Sequence, residues 1–291
     1  MNSLTAHLIN LITLQLTRLS FNPYKNLLPG KKQAPPLLIS GIFRSGTSIT
    51  TNILSKAGFD AGPQNHLLQA TSINPDGYFE NYFFMDFSRY LFHLTNSYGD
   101  NPPEKKALEK IELTKLRNDN FRKFTLLEIH DDRVKNIDKM RVLRKVSLHH
   151  MHAYLANCFG ERPLIKNPHF SVLEPFFRNV FHDSKRLVVF RNPSDWKHSA
   201  QAVSPESNEA LYDQYYSYYL HSDDAGIIFF NYDQLLKDPE GSVAKLLHAL
   251  EIKNADAKSL AGLVRKKEKA PSDEVLLTSS YSELLKRAIN S

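Results

Sequence analysis

A short apolar run, Pro36-Leu-Leu-Ile-Ser, leads into Gly41-Ile-Phe-Arg-Ser-Gly46-Thr-Ser48, and a helical pattern follows from Thr47 to Ala57. A strand that ends in a glycine-spaced loop and turns at once into a helix has few architectures open to it. The strand must lie buried beside others, and the loop must present backbone N–H groups at the helix start. Those donors and the helix dipole make an anion site. The two glycines are five residues apart, as in the nucleotide P-loop G-x-x-x-x-G-K-[ST]. Where that pattern has lysine this chain has Thr47, and a cation sits inside the loop instead, at Arg44. The P-loop lysine reaches the β- and γ-phosphates. Without it, the loop suits a ligand with one phosphate in the cradle and a second acidic group just beyond.

The same alternation recurs downstream. A helix over about 139–158 precedes Pro163-Leu-Ile-Lys166, and one over about 171–181 precedes Arg186-Leu-Val-Val-Phe190. A tyrosine-rich helix over about 207–220 precedes Gly226-Ile-Ile-Phe-Phe-Asn231, and two more helices follow, the second after Pro239. Short apolar strands alternating with helices predict an α/β fold, a P-loop-like parallel sheet flanked by helices. Residues 81–130 are rich in Phe and Tyr, then charged, and are broken by Asn101-Pro-Pro. They read as a helical insertion within a domain spanning 37–291. Residues 1–36 read as an amphipathic helix and a polar connector. Leu4, Leu8, Leu11, Ile12 and Leu19 fall near helical spacing. That helix is expected to pack on the domain, with peripheral membrane contact through residues 4–19 as the other reading.

Composition narrows the function. No run reaches the ~18 apolar residues of a membrane span. The single cysteine, Cys158, excludes an internal disulfide framework and fits the cytoplasm. The 291 residues carry 37 Lys+Arg against 31 Asp+Glu, a net charge of +6. This modest excess suits a small polyanion, and no basic stripe interleaved with aromatics points to nucleic acid. His149-His150-Met-His152 lacks a third ligand or an H-E-x-x-H spacing, so no metal is expected. The tyrosines at 212, 215, 216, 218 and 219 read as core and packing surface.

A second stretch, Arg191-Asn-Pro-Ser-Asp-Trp-Lys-His-Ser199, follows a strand and opens a helix. A guanidinium can fork onto phosphate.

With both motifs the chain resembles the sulfotransferase family, over roughly residues 37–80 and 160–250. The loop through Ser48 looks like the family's 5′-phosphosulfate loop. Arg44 stands where cytosolic members have lysine and where tyrosylprotein sulfotransferases and many bacterial members have arginine. The resemblance implies the donor 3′-phosphoadenosine 5′-phosphosulfate (PAPS), its product 3′-phosphoadenosine 5′-phosphate (PAP), and no metal. It implies donor contacts from Arg44, Ser45, Gly46, Thr47 and Ser48, and a 3′-phosphate site at Arg191 and Ser199. Lys166-Asn-Pro is similar to a Lys-Asp-Pro run whose lysine contacts the transferring group, with Asn167 in place of the aspartate. Asn74-Pro-Asp-Gly-Tyr-Phe-Glu80 is similar to a bacterial run and makes Glu80 the candidate base. Beside Tyr78, Phe79 and Tyr82, desolvation would favour its role as a proton acceptor. His66 and His169 are the alternatives, since cytosolic members use histidine. Tyr232 matches a Tyr-Glu-x-Leu run and either contacts the adenosine half or bonds backbone. Arg265-Lys-Lys-Glu-Lys269 lacks the glycine pattern of the family's basic closing loop and reads as a solvated helix face.

Sulfuryl transfer to a small-molecule or carbohydrate hydroxyl, or an amine, is therefore the expected function. Aromatic residues 78–92 and the insertion are expected to build the acceptor pocket. The competing readings are an ATP-dependent P-loop kinase and a catalytically silent nucleotide-binding scaffold. The kinase is disfavoured by Thr47 and by the want of an acidic magnesium partner for Ser48.

Overall fold

The computed structural model describes residues 34–71, 74–95, 97, 102–109, 111, 148–222, 225–264 and 278–290. The amino-terminal helix, half of the insertion, the first part of the helix expected from about 139 and the basic run at 265–269 lie outside these. The chain divides into two compact units, one of Ala34–Ile111 with Phe159–Ser291, the other of Met1–Gln33 with Glu112–Cys158. Of the second, the described element is the helix Leu148–Cys158.

The larger unit is built on a four-stranded sheet. In chain order it runs β1 (Leu37–Ser40), α1 (Thr47–Lys56), α2 (Tyr82–Leu94) and α3 (Lys105–Glu109). After the helix of the other unit, α4 (Leu148–Cys158), come β2 (Leu164–Lys166), α5 (Glu174–Val180), β3 (Arg186–Phe190), α6 (Pro193–Gln201) and α7 (Glu209–Leu220). It closes with β4 (Ile227–Asn231), α8 (Tyr232–Lys237), α9 (Pro239–Ala249), α10 (Ala257–Ala261) and α11 (Ser279–Arg287). The strand order is β2-β1-β3-β4 and every pairing is parallel, so the expected α/β fold is the observed one. Every strand residue is buried, as befits a sheet covered on both faces.

Asparagine ends several loops. Asn192, Asn208 and Asn231 each accept backbone N–H groups at the starts of α6, α7 and α8. Pro193 and Pro239 occupy first-turn positions, where a missing N–H costs nothing. At α1 the preceding Gly46 is left-handed, with φ 94°, and no side chain caps the first turn.

The end of the chain straps the β4 edge. Ile289 N–H donates to the Phe229 carbonyl, and Ala288 forms a parallel bridge to Phe229. Asn290 follows, buried, with its amide on both backbone groups of Asn231.

Candidate active site

All four strands point their carboxyl ends the same way, and a ligand of such a sheet binds outside that edge. Gly41, Lys166, Arg191 and Tyr232 lie at or just beyond those four ends.

The loop after β1 is held from beneath by α7. Tyr212, Tyr216 and Tyr219 recur at helical spacing and are fully buried. The Tyr216 hydroxyl donates to the Val189 carbonyl (3.0 Å) and accepts the Ile42 N–H (3.3 Å). Tyr219 lies 2.8 Å from the Ser40 hydroxyl, and Tyr212 donates to the Arg191 carbonyl at 2.6 Å. Burial pushes all three phenols up, so they act as neutral donors. The Gly41 N–H donates to Ser171 Oγ (3.0 Å). A Cβ on Gly41, whose φ is 137°, would lie 2.1 Å from the Val189 carbonyl, which explains the glycine. Ser45 is buried and its N–H bonds the Ile42 carbonyl within the loop (3.2 Å). Thr47 is buried in the first turn of α1.

The two motifs meet. Arg44 Nε donates to Ser199 Oγ at 3.2 Å across 155 residues of sequence. Trp196 Nε1 donates to the Phe43 carbonyl at 2.8 Å, and its ring meets Phe43 edge-on. Gly46 faces Tyr232, whose ring occupies the space a Cβ would need (2.2 Å). Tyr232 thus packs against the loop, and its ring centroid lies 5.6 Å from the Arg191 guanidinium carbon.

Lys166 and Glu80 form a second cluster beside the loop. A parallel bridge between the two residues extends the sheet past β2. The ammonium is 2.5 Å from Glu80 Oε1, 3.1 Å from the Tyr78 carbonyl and 3.5 Å from Ser48 Oγ. Lys166 is 2% exposed and Glu80 13%, so Lys166 is no solvated strand-end residue. Asn74 Nδ2 donates to Ser48 Oγ and to the Gly77 carbonyl, pinning the 74–80 turn against α1. Among the described residues, the non-glycine residues with positive φ are Arg44 (67°), Phe79 (60°) and Glu251 (58°). Left-handed backbone is costly for bulky side chains, and two of these three sit in the site.

Asn167 follows Lys166 and does what an aspartate does not. Its Oδ1 accepts the His169 N–H, while its Nδ2 donates to the Phe84 carbonyl (3.2 Å) and Ser88 Oγ (2.9 Å). Asn167→Asp places a carboxylate against that carbonyl in a buried site. It should lower unfolding stability by about 2 kcal/mol, read from the shift of a urea midpoint. An unshifted midpoint would contradict this account of the amide.

His169 is pushed down to about 4, first by burial and then by Arg89 and Lys166. Its ring lies edge-on to Phe92. So weak a base is a poor proton acceptor near neutral pH. His66 ends a short 3-10 turn, Gln64–His66. Of the aromatic run 78–92, Phe83, Phe84, Phe87 and Phe92 are buried, and Phe84 and Phe87 pack on Phe170 and Phe176. These rings are core. Tyr78, Phe79 and Tyr82, half-buried, remain nearest Glu80 in sequence.

Sequence reasoning missed the work of Trp196, Asn74 and the α7 tyrosines. Only the tyrosine spacing carried a signal, and it read correctly as core. Among the described residues no cluster of His, Cys, Asp and Glu is placed to hold a metal ion, and no helix is long and apolar enough to cross a membrane.

Solved structures that resemble this chain include two sulfotransferases. A sulfotransferase from Mycobacterium tuberculosis is 13% identical, with 88% of this chain and 77% of that one covered and a TM-score of 0.40. A sulfotransferase from Mycobacterium avium is 9% identical, with 86% and 71% covered and a TM-score of 0.40. No curated protein matches significantly. The model of the sulfotransferase family matches residues 35–256, from the start of β1 to the threshold of α10. On that match, the chain belongs to the sulfotransferase family.

Proposed function

We propose that the protein transfers a sulfuryl group from PAPS to a hydroxyl, or an amine, of a small-molecule or carbohydrate acceptor. The observation that carries this reading is the joining of two anion motifs by the Arg44–Ser199 bond, with the Lys166–Glu80 cluster beside them at the same sheet edge.

The chain's donors fit such a nucleotide. The uncapped first turn of α1 leaves its amides without intrahelical partners. With Ser45, Gly46, Thr47 and Ser48 these amides would hold the 5′-phosphosulfate. Arg191 is largely buried just past the end of β3, with the carboxylates of Asp233 and Asp195 beside it. With Ser199 it would take the 3′-phosphate, and Tyr232 would flank the adenosine half. PAPS supplies the sulfuryl group and a phosphate leaving oxygen. Arg44 and Lys166 stabilise negative charge growing on that oxygen, fixed cations in a water-poor site being the strongest such device. Glu80, its carboxylate directed by Lys166, accepts the acceptor's proton. The single cysteine fits action in a reducing compartment, the cytoplasm.

The test is transfer from labelled PAPS to a panel of alcohols, phenols and carbohydrates, without added magnesium. Labelled product is expected, with ATP a poor competitor. Magnesium-dependent phosphorylation with ATP preferred over PAPS would replace this reading with the kinase one. PAP binding without turnover on any acceptor would favour the scaffold.

A further inference from the structure

Arg191 does not face its site alone. Its side chain is 9% exposed, and two carboxylates flank the guanidinium. Asp233 Oδ1 lies 3.5 Å from Nε, an ion pair without a hydrogen bond, and Asp195 Oδ1 lies 3.9 Å from one terminal nitrogen. Asp233 is itself anchored. Its Oδ2 accepts the Asn192 N–H at 2.5 Å, and its own N–H donates to Asn231 Oδ1 at 2.9 Å. Asn231 is fastened in turn by the end of the chain, its N–H donating to Asn290 Oδ1 and its carbonyl accepting from Asn290 Nδ2. The Asp233 charge helps push up the phenols of Tyr212, Tyr216, Tyr232 and Tyr281 around it. A buried carboxylate among phenols is costly unless a cation neutralises it.

We propose that Asp233 is a positioning residue for the anion site at Arg191. It holds the Nε side of the guanidinium, so that the terminal nitrogens are the ones presented to a nucleotide 3′-phosphate. The inference rests on Arg191 being the 3′-phosphate group. A guanidinium grips phosphate through two parallel N–H bonds, which demands a fixed plane and a fixed edge. Charge alone argues the other way, since a carboxylate beside a phosphate site repels the ligand. The two roles therefore predict opposite signs. Removing a mere counter-charge tightens phosphate binding, whereas removing an orienting group weakens it.

The experiment is calorimetric titration of the full chain with PAP and with adenosine 5′-monophosphate, which lacks the 3′-phosphate. Asp233→Asn keeps the shape and an acceptor oxygen for the Asn192 amide. Its PAP affinity should fall about tenfold, the scale on which losing an outer partner weakens a metal ligand's site. Affinity for the monophosphate should hold, so the preference for PAP falls by the same factor. Tighter PAP binding, or equal loss for both nucleotides with the preference intact, overturns the proposal. Asp233→Glu keeps the buried charge pair, which covers a failure of the first variant to fold. Its longer arm displaces the guanidinium, so a lower preference is expected and an unchanged one overturns the proposal. A wild-type protein that binds both nucleotides equally would overturn the 3′-phosphate reading of Arg191 itself, and the role of Asp233 with it.

Discussion

Arg44→Ala should lower turnover about a hundredfold or more at saturating donor, the scale of losing one transition-state donor. The residue sits in the anion loop with left-handed backbone, half-buried, and is tied to Ser199 through Nε. That bond uses one edge of the guanidinium and fixes its plane. Arg44→Lys keeps the charge but loses the planar fork and the Nε–H, so it should recover only part of the rate. Single-turnover rates with labelled PAPS separate the chemical step from product release. An Arg44→Ala rate equal to wild type would remove Arg44 from the reacting centre.

Lys166→Met should cost turnover on the same scale and stability as well. The ammonium is buried against Glu80, the Tyr78 carbonyl and Ser48, and a thioether replaces none of those bonds. Breaking a mostly buried pair from one side costs roughly 3 kcal/mol, because the remaining charge is left alone. Lys166→Met combined with Glu80→Gln removes both charges and should restore most of the stability but none of the rate. Glu80→Gln alone should slow turnover while leaving donor affinity near wild type. Activity returning together with stability in the double variant would reduce the pair to a structural bridge.

The sheet and the phosphate loop were legible because both are local. Apolar strand runs mark buried parallel strands, and the glycine spacing marks a turn whose backbone must pass close to Val189 and Tyr232. Strand β3 was readable to the residue, since Arg186 to Phe190 is bounded by turn chemistry on both sides. The meeting of Arg44 with Ser199 was not legible, because a contact across 155 residues leaves no periodic trace. Asn167 looked like a departure from pattern, yet its amide donates to α2, which no local rule exposes. The phenylalanines of α2 looked like pocket lining because an apolar ring reads the same in a core and in a cleft. Asp233 was hidden beside Tyr232, as a buried carboxylate is identified by its partners rather than by its neighbours in sequence.

The most direct test titrates PAP into the wild-type chain and into Arg191→Ala, with heat as the readout. The account predicts saturable, magnesium-independent binding to the wild type. Because hydrogen bonds to charged groups contribute about 1.5–3 kcal/mol, the variant should bind at least about tenfold more weakly. No binding to the wild type, or equal binding to both, would contradict it.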